Sequence, residues 1–498
     1  MTISSHDSKH NEDVKIEIQE SPPSPLLEGS AEEQALVRKL DKRIMPIACA
    51  LYLFSYLDRS NLGNARLQGL PEDVLGGDPT GVLFDWITSA FFLAYILCQI
   101  PATLLSKLFR PRLWVAAAGL GWGTCATLMS TGFNFGSLLA ARACIGVFES
   151  GFGPAIPLYF SFFYTRKEIG LRMACWFGFA TVGGAFGGLI AFGIQNASLP
   201  FQPWRLLFIV EGLPPVVLAM FTVFLFPDRP ESTTFLNEDE RRIAIARMNR
   251  ATSGDVGASV NKAHIWAAFR DWRASHRFIN PPRIYVGGVI YFGLNCALAS
   301  IGAFLPTIIQ TFGNSAAVTQ LLTVPPYAVA FVILVSFSFA SDRLQSRGVF
   351  MGVASVIGAI GYLLLLVVHD NVRVRYFATF CITSGTYTTI GLIMAWFAHN
   401  LGSETKRAAG IPMFMSMGQC GSVLGSHIFP QSEGPRYIKG FAISCALELL
   451  AAVCAAILSI SYRLDNARRD RVYGRPIPGA RVDTQILADK APAFRYLP

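Results

Sequence analysis

Charge is scarce in this chain. Only 15% of its 498 residues are Asp, Glu, Lys or Arg, against 52% hydrophobic residues and a mean hydropathy of +0.41. Soluble domains carry about 25% charged residues, so the composition excludes an ordinary water-soluble protein and indicates an integral membrane protein. The chain also lacks a phosphate loop of the form G-x-x-x-x-G-K followed by Ser or Thr, metal-ligand spacings and a nucleophile elbow. These absences exclude nucleotide-driven pumping, metal catalysis and serine-type hydrolysis, and no cofactor is expected. The ten cysteines all fall inside apolar segments with no C-x-x-C pair, so they read as small buried hydrophobes rather than ligands or a disulfide framework. No charged stretch followed by a short apolar run opens the sequence. A cleaved signal peptide is therefore not expected, and the first membrane span is its own insertion signal.

What is present is a series of apolar segments, near 44–66, 83–105, 113–131, 136–163, 173–195, 205–226, 284–311, 318–340, 349–368, 375–397, 408–430 and 440–462. Each approaches or exceeds the roughly 20 residues a helix needs to cross about 30 Å of hydrocarbon. The expected fold class is an all-α membrane protein of twelve transmembrane helices. The net charge of +9 does not indicate nucleic acid, because the basic residues collect in alternate connections. Lys107, Arg110 and Arg112, then Arg166, Lys167 and Arg172, then Arg343 and Arg347, then Lys406 and Arg407 follow spans two, four, eight and ten. This bias places both termini in the cytoplasm of a multi-pass protein.

A hydrophilic segment, 227–282, divides the spans into two six-helix halves, 39–226 and 283–464. Within it NEDERRIAIARMNR, with Asn237 as capping residue, early acids and later bases, predicts an amphipathic helix. Residues 1–38 are polar and acidic and are expected to form a disordered cytoplasmic tail; 465–498 form a basic cytoplasmic tail with no lipidation motif. Two six-helix halves around a central cavity are the major facilitator architecture, with the substrate site near the bilayer midplane. The connection FASDRLQSRGVF, with Asp342, Arg343 and Arg347, resembles the loop signature of that architecture, and LLSKLFRPRLW after span two is its degenerate copy.

Ionisable groups at bilayer depth cost about 2.5–3.5 kcal/mol each and so mark interiors and pathways. Four of them concentrate in the first half: Asp58 and Arg59 on span one, Arg142 and Glu149 on span four. Residues seven apart differ by about 20° around a helix, so Arg142 and Glu149 share one face. A buried carboxyl that can be neutral or ionised suits proton coupling, which gives Asp58 and Glu149 that role. The planar guanidinium fork suits an organic anion, which gives Arg59 and Arg142 the other. The same four groups could instead neutralise one another and fix helix packing. Asn61, Tyr291 and Asn295, Tyr387 and Gln419 are added as polar or aromatic groups that could shape a substrate site, or equally bond helix to helix. Glu211 and Glu448 read as structural. Gly183, Gly184, Gly187 and Gly188 form two overlaid G-x-x-x-G patterns, a packing or rocking surface.

The stretches YLDRSNLGNAR (56–66), RACIGVFESGFGPAIPLYFSFFYTRKEIGLR (142–172), WRLLFIVEG (204–212), NLGSETKRAAG (400–410) and GPRYIKGFAIS (434–444) resemble the fungal allantoate permease group of the anion:cation symporter family, within the major facilitator superfamily. The resemblance implies that the acids at Asp58 and Glu149 serve proton coupling and that Arg59 and Arg142 serve the organic anion. Phe109 departs from the family, which often has Gly there.

Together these readings lead to the expectation of a monomeric proton-coupled importer of a small organic anion, such as a vitamin, a ureido acid or a similar carboxylate, in the plasma membrane. Its partners are that anion, protons and the lipid bilayer. Efflux of a toxin or secondary metabolite by proton antiport ranks lower, because paired arginines suit anions better than lipophilic cations. A nutrient sensor that binds without turnover is the remaining alternative.

Overall fold

The computed structural model describes residues 30–78, 80–196, 202–251, 283–313, 315–401, 404–434, 436–476, 489 and 491–498. The described residues form helices and no strand. In chain order the helices are α1 (Ala31–Leu67), α2 (Leu70–Val74), α3 (Val82–Ser106), α4 (Pro111–Leu128), α5 (Phe135–Ser150), α6 (Ala155–Phe163), α7 (Arg166–Gln195) and α8 (Pro203–Leu225). After them come α9 (Glu238–Ala251), α10 (Arg283–Gln310), α11 (Ala316–Leu322), α12 (Val324–Leu344), α13 (Arg347–Val367), α14 (Val372–Asn400), α15 (Glu404–Gly425) and α16 (Ile438–Tyr473).

Among the described residues, ten helical bodies are long and apolar enough to cross a membrane, with α5 and α6 counted as one and α11 and α12 as another. The remaining two of the expected twelve are α1 and α15, of 37 and 22 residues. Both are long enough. Their polarity, from Asp58, Arg59 and Arg66 on α1 and from Lys406 and Gln419 on α15, is what sets them apart.

Within the first half α1 packs on α7 and α8, α3 on α5, and α4 on α5 and α8. In the second half α10 packs on α15 and α16, and α14 on α12 and α13. Contacts between halves repeat with the same logic: α3 meets α15, α7 meets α12, and α1 meets α10. Counted as spans, two with eleven and five with eight are one pairing seen twice, and one with seven is its own mate. That is the pattern of two equivalent halves related by a pseudo-two-fold axis.

Helix α7 lies between the halves, and its glycines divide the work. A Cβ at Gly183 would stand 3.0 Å from the carbonyl oxygen of Leu53 on α1, while one at Gly184 would stand 2.8 Å from the ring of Tyr327 on α12. One glycine pair therefore faces its own half and the other faces the partner half, which allows close backbone approach on both sides.

Two boundaries differ from the sequence expectation. Helix α1 begins at Ala31 rather than after residue 38: Ser30 caps it by accepting from the Glu33 amide at 3.2 Å, and Glu33 reaches Arg247 of α9 at 3.4 Å. At the other end α16 continues to Tyr473, past the expected boundary at 464. The expected amphipathic helix is α9: Asn237 accepts from the Glu240 amide at 2.7 Å and its own amide donates to Glu240 at 2.9 Å. Lys39 of α1 lies 2.6 Å from Glu240 and holds that carboxyl below the usual range. The stretches 1–29, 252–282 and 477–488 of the expected tails and central loop lie outside the described residues.

One end of the bundle gathers Lys39, Lys107, Arg172, Arg347 and Lys406 and is termed the basic end. Arg347 and Asp342 pair there at 2.6 Å. A Cβ at Gly170 of α7 would stand 2.8 Å from Asp342, so this pair of the second half rests on the first half. Arg343 is exposed and takes no part in the pair.

Candidate functional site

Ser55 and Arg59 are one turn apart on α1 and present the same face to α5. Both reach Glu149: Arg59 Nε stands 2.7 Å from Glu149 Oε1, and the Ser55 hydroxyl donates to the same oxygen. Glu149 Oε2 has no hydrogen-bond partner, and the side chain is fully buried. The Arg59 guanidinium also lies over the rings of Phe91 and Tyr95 of α3, at 5.2 and 5.3 Å from their centroids. Cation–π contacts of this kind contribute about 0.5–2 kcal/mol and keep the cation in place when its acid partner changes state.

Arg142 stands two turns before Glu149 on α5. Its Nη1 donates to the backbone carbonyl of Asp58 at 2.9 Å, while Nε and Nη2 have no partner. The side chain is only 2% exposed. A buried guanidinium with open donors retains capacity for an oxygen-rich ligand, because an unfilled buried donor costs about 1–3 kcal/mol.

The two arginines border a cavity of ≈ 50 Å³ between the halves. Tyr56, Ser60 and Phe91 line it from the first half, and Asn295, Gln419 and Ser422 from the second. This space holds a few waters at most, too little for a metabolite in this arrangement of the halves. The end away from the basic end is drawn together: Ser89 and Ser426 hydroxyls meet at 2.7 Å between α3 and α15, and Gly63 packs against the backbone of Gly302 and Ala303 between α1 and α10.

Of the residues expected at the site, Arg59, Arg142, Asn295 and Gln419 line the cavity. Asp58 and Glu149 do not; they sit behind the arginines, so two cations face the cavity and two acids are withdrawn from it. The reason is geometric: adjacent helix positions are about 100° apart, and Asp58 cannot share the direction of Arg59. Both Asp58 carboxylate oxygens are buried without a hydrogen-bond partner. Asn61 is buried with its amide unpartnered and lies outside the cavity lining. Tyr291 also stands back, accepting from Asn295 Nδ2 through its carbonyl at 2.9 Å and packing edge-on to Phe414 at 5.5 Å. Tyr387 joins the halves, its hydroxyl bonded to that of Tyr56.

Ser55, Tyr56 and Gln99 belong to the site region and were missed from the sequence. Gln99 Oε1 of α3 accepts from Ser416 of α15 at 3.4 Å across the halves. A helical wheel centred on Arg59 would have found Ser55. Nothing local distinguishes Gln99.

The model of the family described as Major Facilitator Superfamily matches residues 48–426. The chain belongs to that superfamily. It is 34% identical over 473 residues to the Major facilitator-type transporter hxnP of Emericella nidulans, covering 93% of each chain. To the MFS-type transporter efuF of Hormonema carpetanum it is 31% identical, with 93% of this chain and 91% of the other covered. Among solved structures, the xylose transporter XylE of E. coli in a partially occluded inward-open conformation has a TM-score of 0.64 at 13% identity, covering 83% of this chain and 96% of that one. The human organic anion transporter MFSD10 has a TM-score of 0.59 at 14% identity, covering 83% and 99%. These structural likenesses establish the fold. As a superfamily member the chain is a multi-pass membrane transporter of small molecules, not an enzyme.

Proposed function

We propose that this transporter imports a small organic anion together with a proton. The observation that carries the reading is the Arg59–Glu149 pair at the cavity edge. A substrate carboxylate that takes Arg59 must displace Glu149. The displaced acid, buried in low dielectric, would cost several kcal/mol if it stayed ionised, so it takes up a proton instead. Anion and proton thus enter together and leave together. Arg142 supplies the open donors for the second oxygen of the anion, and Asn295 and Gln419 supply neutral contacts from the other half. Asp58, held near Arg142 through its carbonyl, is the second proton-coupling acid.

On this reading the basic end faces the cytoplasm, with both termini inside and the Gly63 end outside, in the plasma membrane; the charge bias of the connections supports the orientation. The halves rock about the cavity to expose it to one side at a time. A small carboxylate such as a vitamin or a ureido acid, the class implied by the resemblance to the allantoate permease group, fits two guanidinium forks with few neutral donors.

A thermal-shift screen of carboxylate metabolites against the purified transporter tests the substrate class. At least one carboxylate should raise the melting temperature of the wild type and leave Arg142→Ala unmoved. A ligand set dominated by neutral sugars or lipophilic cations would refute the anion reading.

A further inference from the structure

Asp489 and the segment Ala491–Pro498 fold back on the basic end of the second half, against the ends of five spans. Two asparagines hold its backbone. Asn400, the last residue of α14, donates to the Leu497 carbonyl at 3.1 Å and accepts from the Leu497 amide at 2.8 Å. Asn466 of α16 does the same for Tyr496, at 2.7 and 2.9 Å. Trp396 Nε1 donates to the Leu497 carbonyl at 2.7 Å. One guanidine nitrogen of Arg469 lies within hydrogen-bond distance of three carbonyls of this backbone, those of Asp489, Ala491 and Phe494, at 3.0, 3.0 and 2.9 Å.

Side chains complete the fit. Tyr496 stacks on Tyr462 at 5.0 Å between centroids and lies under Arg283, the first residue of α10, at 3.9 Å. Lys406, in the first turn of α15, pairs with Asp489 at 2.6 Å, and both are buried. Burial pushes the Asp489 carboxyl up; the Lys406 ammonium, with Arg283 and the Tyr496 hydroxyl, outweighs it and holds the group below the usual carboxylate range. A carboxyl held low stabilises fully above its unfolded value of about 3.9 and loses that contribution only as pH falls through its folded value. The pair is therefore intact across physiological pH. Pro498 reaches the Gly348 amide at 3.4 Å, next to Arg347, whose pair with Asp342 rests on α7 of the other half.

We propose that Asp489 and Ala491–Pro498 form a strap that pins the turn between α14 and α15 to α10, α13 and α16, and so regulates how readily the cavity opens at the basic end. The inference rests on the rocking of the halves proposed above but not on the identity of the anion or on proton coupling. Asn400 and Lys406 flank the turn that must swing when spans ten and eleven part from the first half. While the strap is seated, that turn is tied to three other helices, and opening has to carry all of them or break the strap. Recognition through backbone donors and acceptors, with one stacked ring and one buried ion pair, is how a docked segment rather than a loose tail is held.

Spin labels at Leu108 and Leu344, exposed positions on the two halves at the basic end, report the opening by their distance distribution in the purified full chain without substrate. Removing residues 489–498 should raise the long-distance population about threefold or more, and the synthetic 489–498 peptide added back should reverse it. Asn400→Ala with Asp489→Asn provides a second test that keeps the chain whole, with trypsin cleavage after Arg495 reporting strap release; release should accompany a rise in the long-distance population. Strap removal or release with an unchanged distance distribution would overturn the proposal, as would a double variant whose strap stays protease-resistant. Because no substrate is used, these outcomes are independent of the anion-import reading.

Discussion

Arg59 Nε lies 2.7 Å from Glu149 Oε1 on one side while the same residue borders the central cavity on the other. One cation thus answers to an acid behind it and to whatever occupies the space in front. On the import reading proposed above, a substrate anion and Glu149 would compete for it in low dielectric, and the loser would be neutralised rather than left charged. Coupling between ion and substrate would then follow from this competition without any long-range signal.

Glu149→Gln keeps the shape of the acid and removes its proton chemistry. In vesicles, the wild type should hold about a tenfold substrate ratio per unit of pH gradient, since one unit is worth about 1.4 kcal/mol per proton. The variant should equilibrate substrate without concentrating it, while exchange of labelled for unlabelled substrate continues. Concentrative uptake by the variant would remove Glu149 from the proton path.

Arg142→Ala should weaken binding at least tenfold, the scale of a lost charged hydrogen bond of about 1.5–3 kcal/mol. Arg142→Lys should restore little, because an ammonium cannot keep the Asp58 carbonyl bond and also offer a planar fork to a carboxylate. Calorimetric titration of both variants with a ligand found by thermal shift checks this ordering.

At Gly63, an added methyl would stand 2.8 Å from the Ala303 carbonyl oxygen and 2.9 Å from that of Gly302. Both obstacles are backbone, so Gly63→Ala forces α1 and α10 apart, at a cost of about 1–3 kcal/mol for the closed arrangement. A thiol placed at Ser60, on the cavity wall, should then react with a polar thiol reagent roughly fivefold faster or more. Unchanged labelling would show that the Gly63 end does not close the cavity.

Glu448 offers the contrast. It is fully buried in the second half, where it accepts from Thr386 Oγ1 at 2.7 Å, with the Ser355 hydroxyl as a second neighbour. Both partners are neutral hydroxyls, and a buried acid among such groups is held by packing and hydrogen bonds rather than by an ion pair. Glu448→Gln should preserve concentrative uptake and change stability by less than about 1 kcal/mol. Loss of proton-driven uptake in this variant would move the coupling site into the second half.

Much of the fold was legible because long apolar runs and a single hydrophilic divider leave few arrangements in lipid. The halves, the capped helix after Asn237 and the close-packing glycines on α7 all follow from spacing. What the sequence could not carry is rotation. Asp58 and Arg59 are neighbours in the chain, yet one faces the cavity and the other does not, and only the packing of α1 against α7, α8 and α10 decides which. The seven-residue spacing puts Glu149 on the same face as Arg142, but its partner, Arg59, lies on another helix. The strap was illegible for a further reason: Asn400 and Asn466 grip backbone, and backbone leaves no trace in residue identity.

The most direct measurement is the number of protons taken up when a carboxylate ligand binds, obtained by calorimetric titration in buffers of different ionisation enthalpy. The account predicts uptake of close to one proton per ligand by the wild type at pH 7 and of none by Glu149→Gln. Binding of the anion with no proton uptake by the wild type would contradict it.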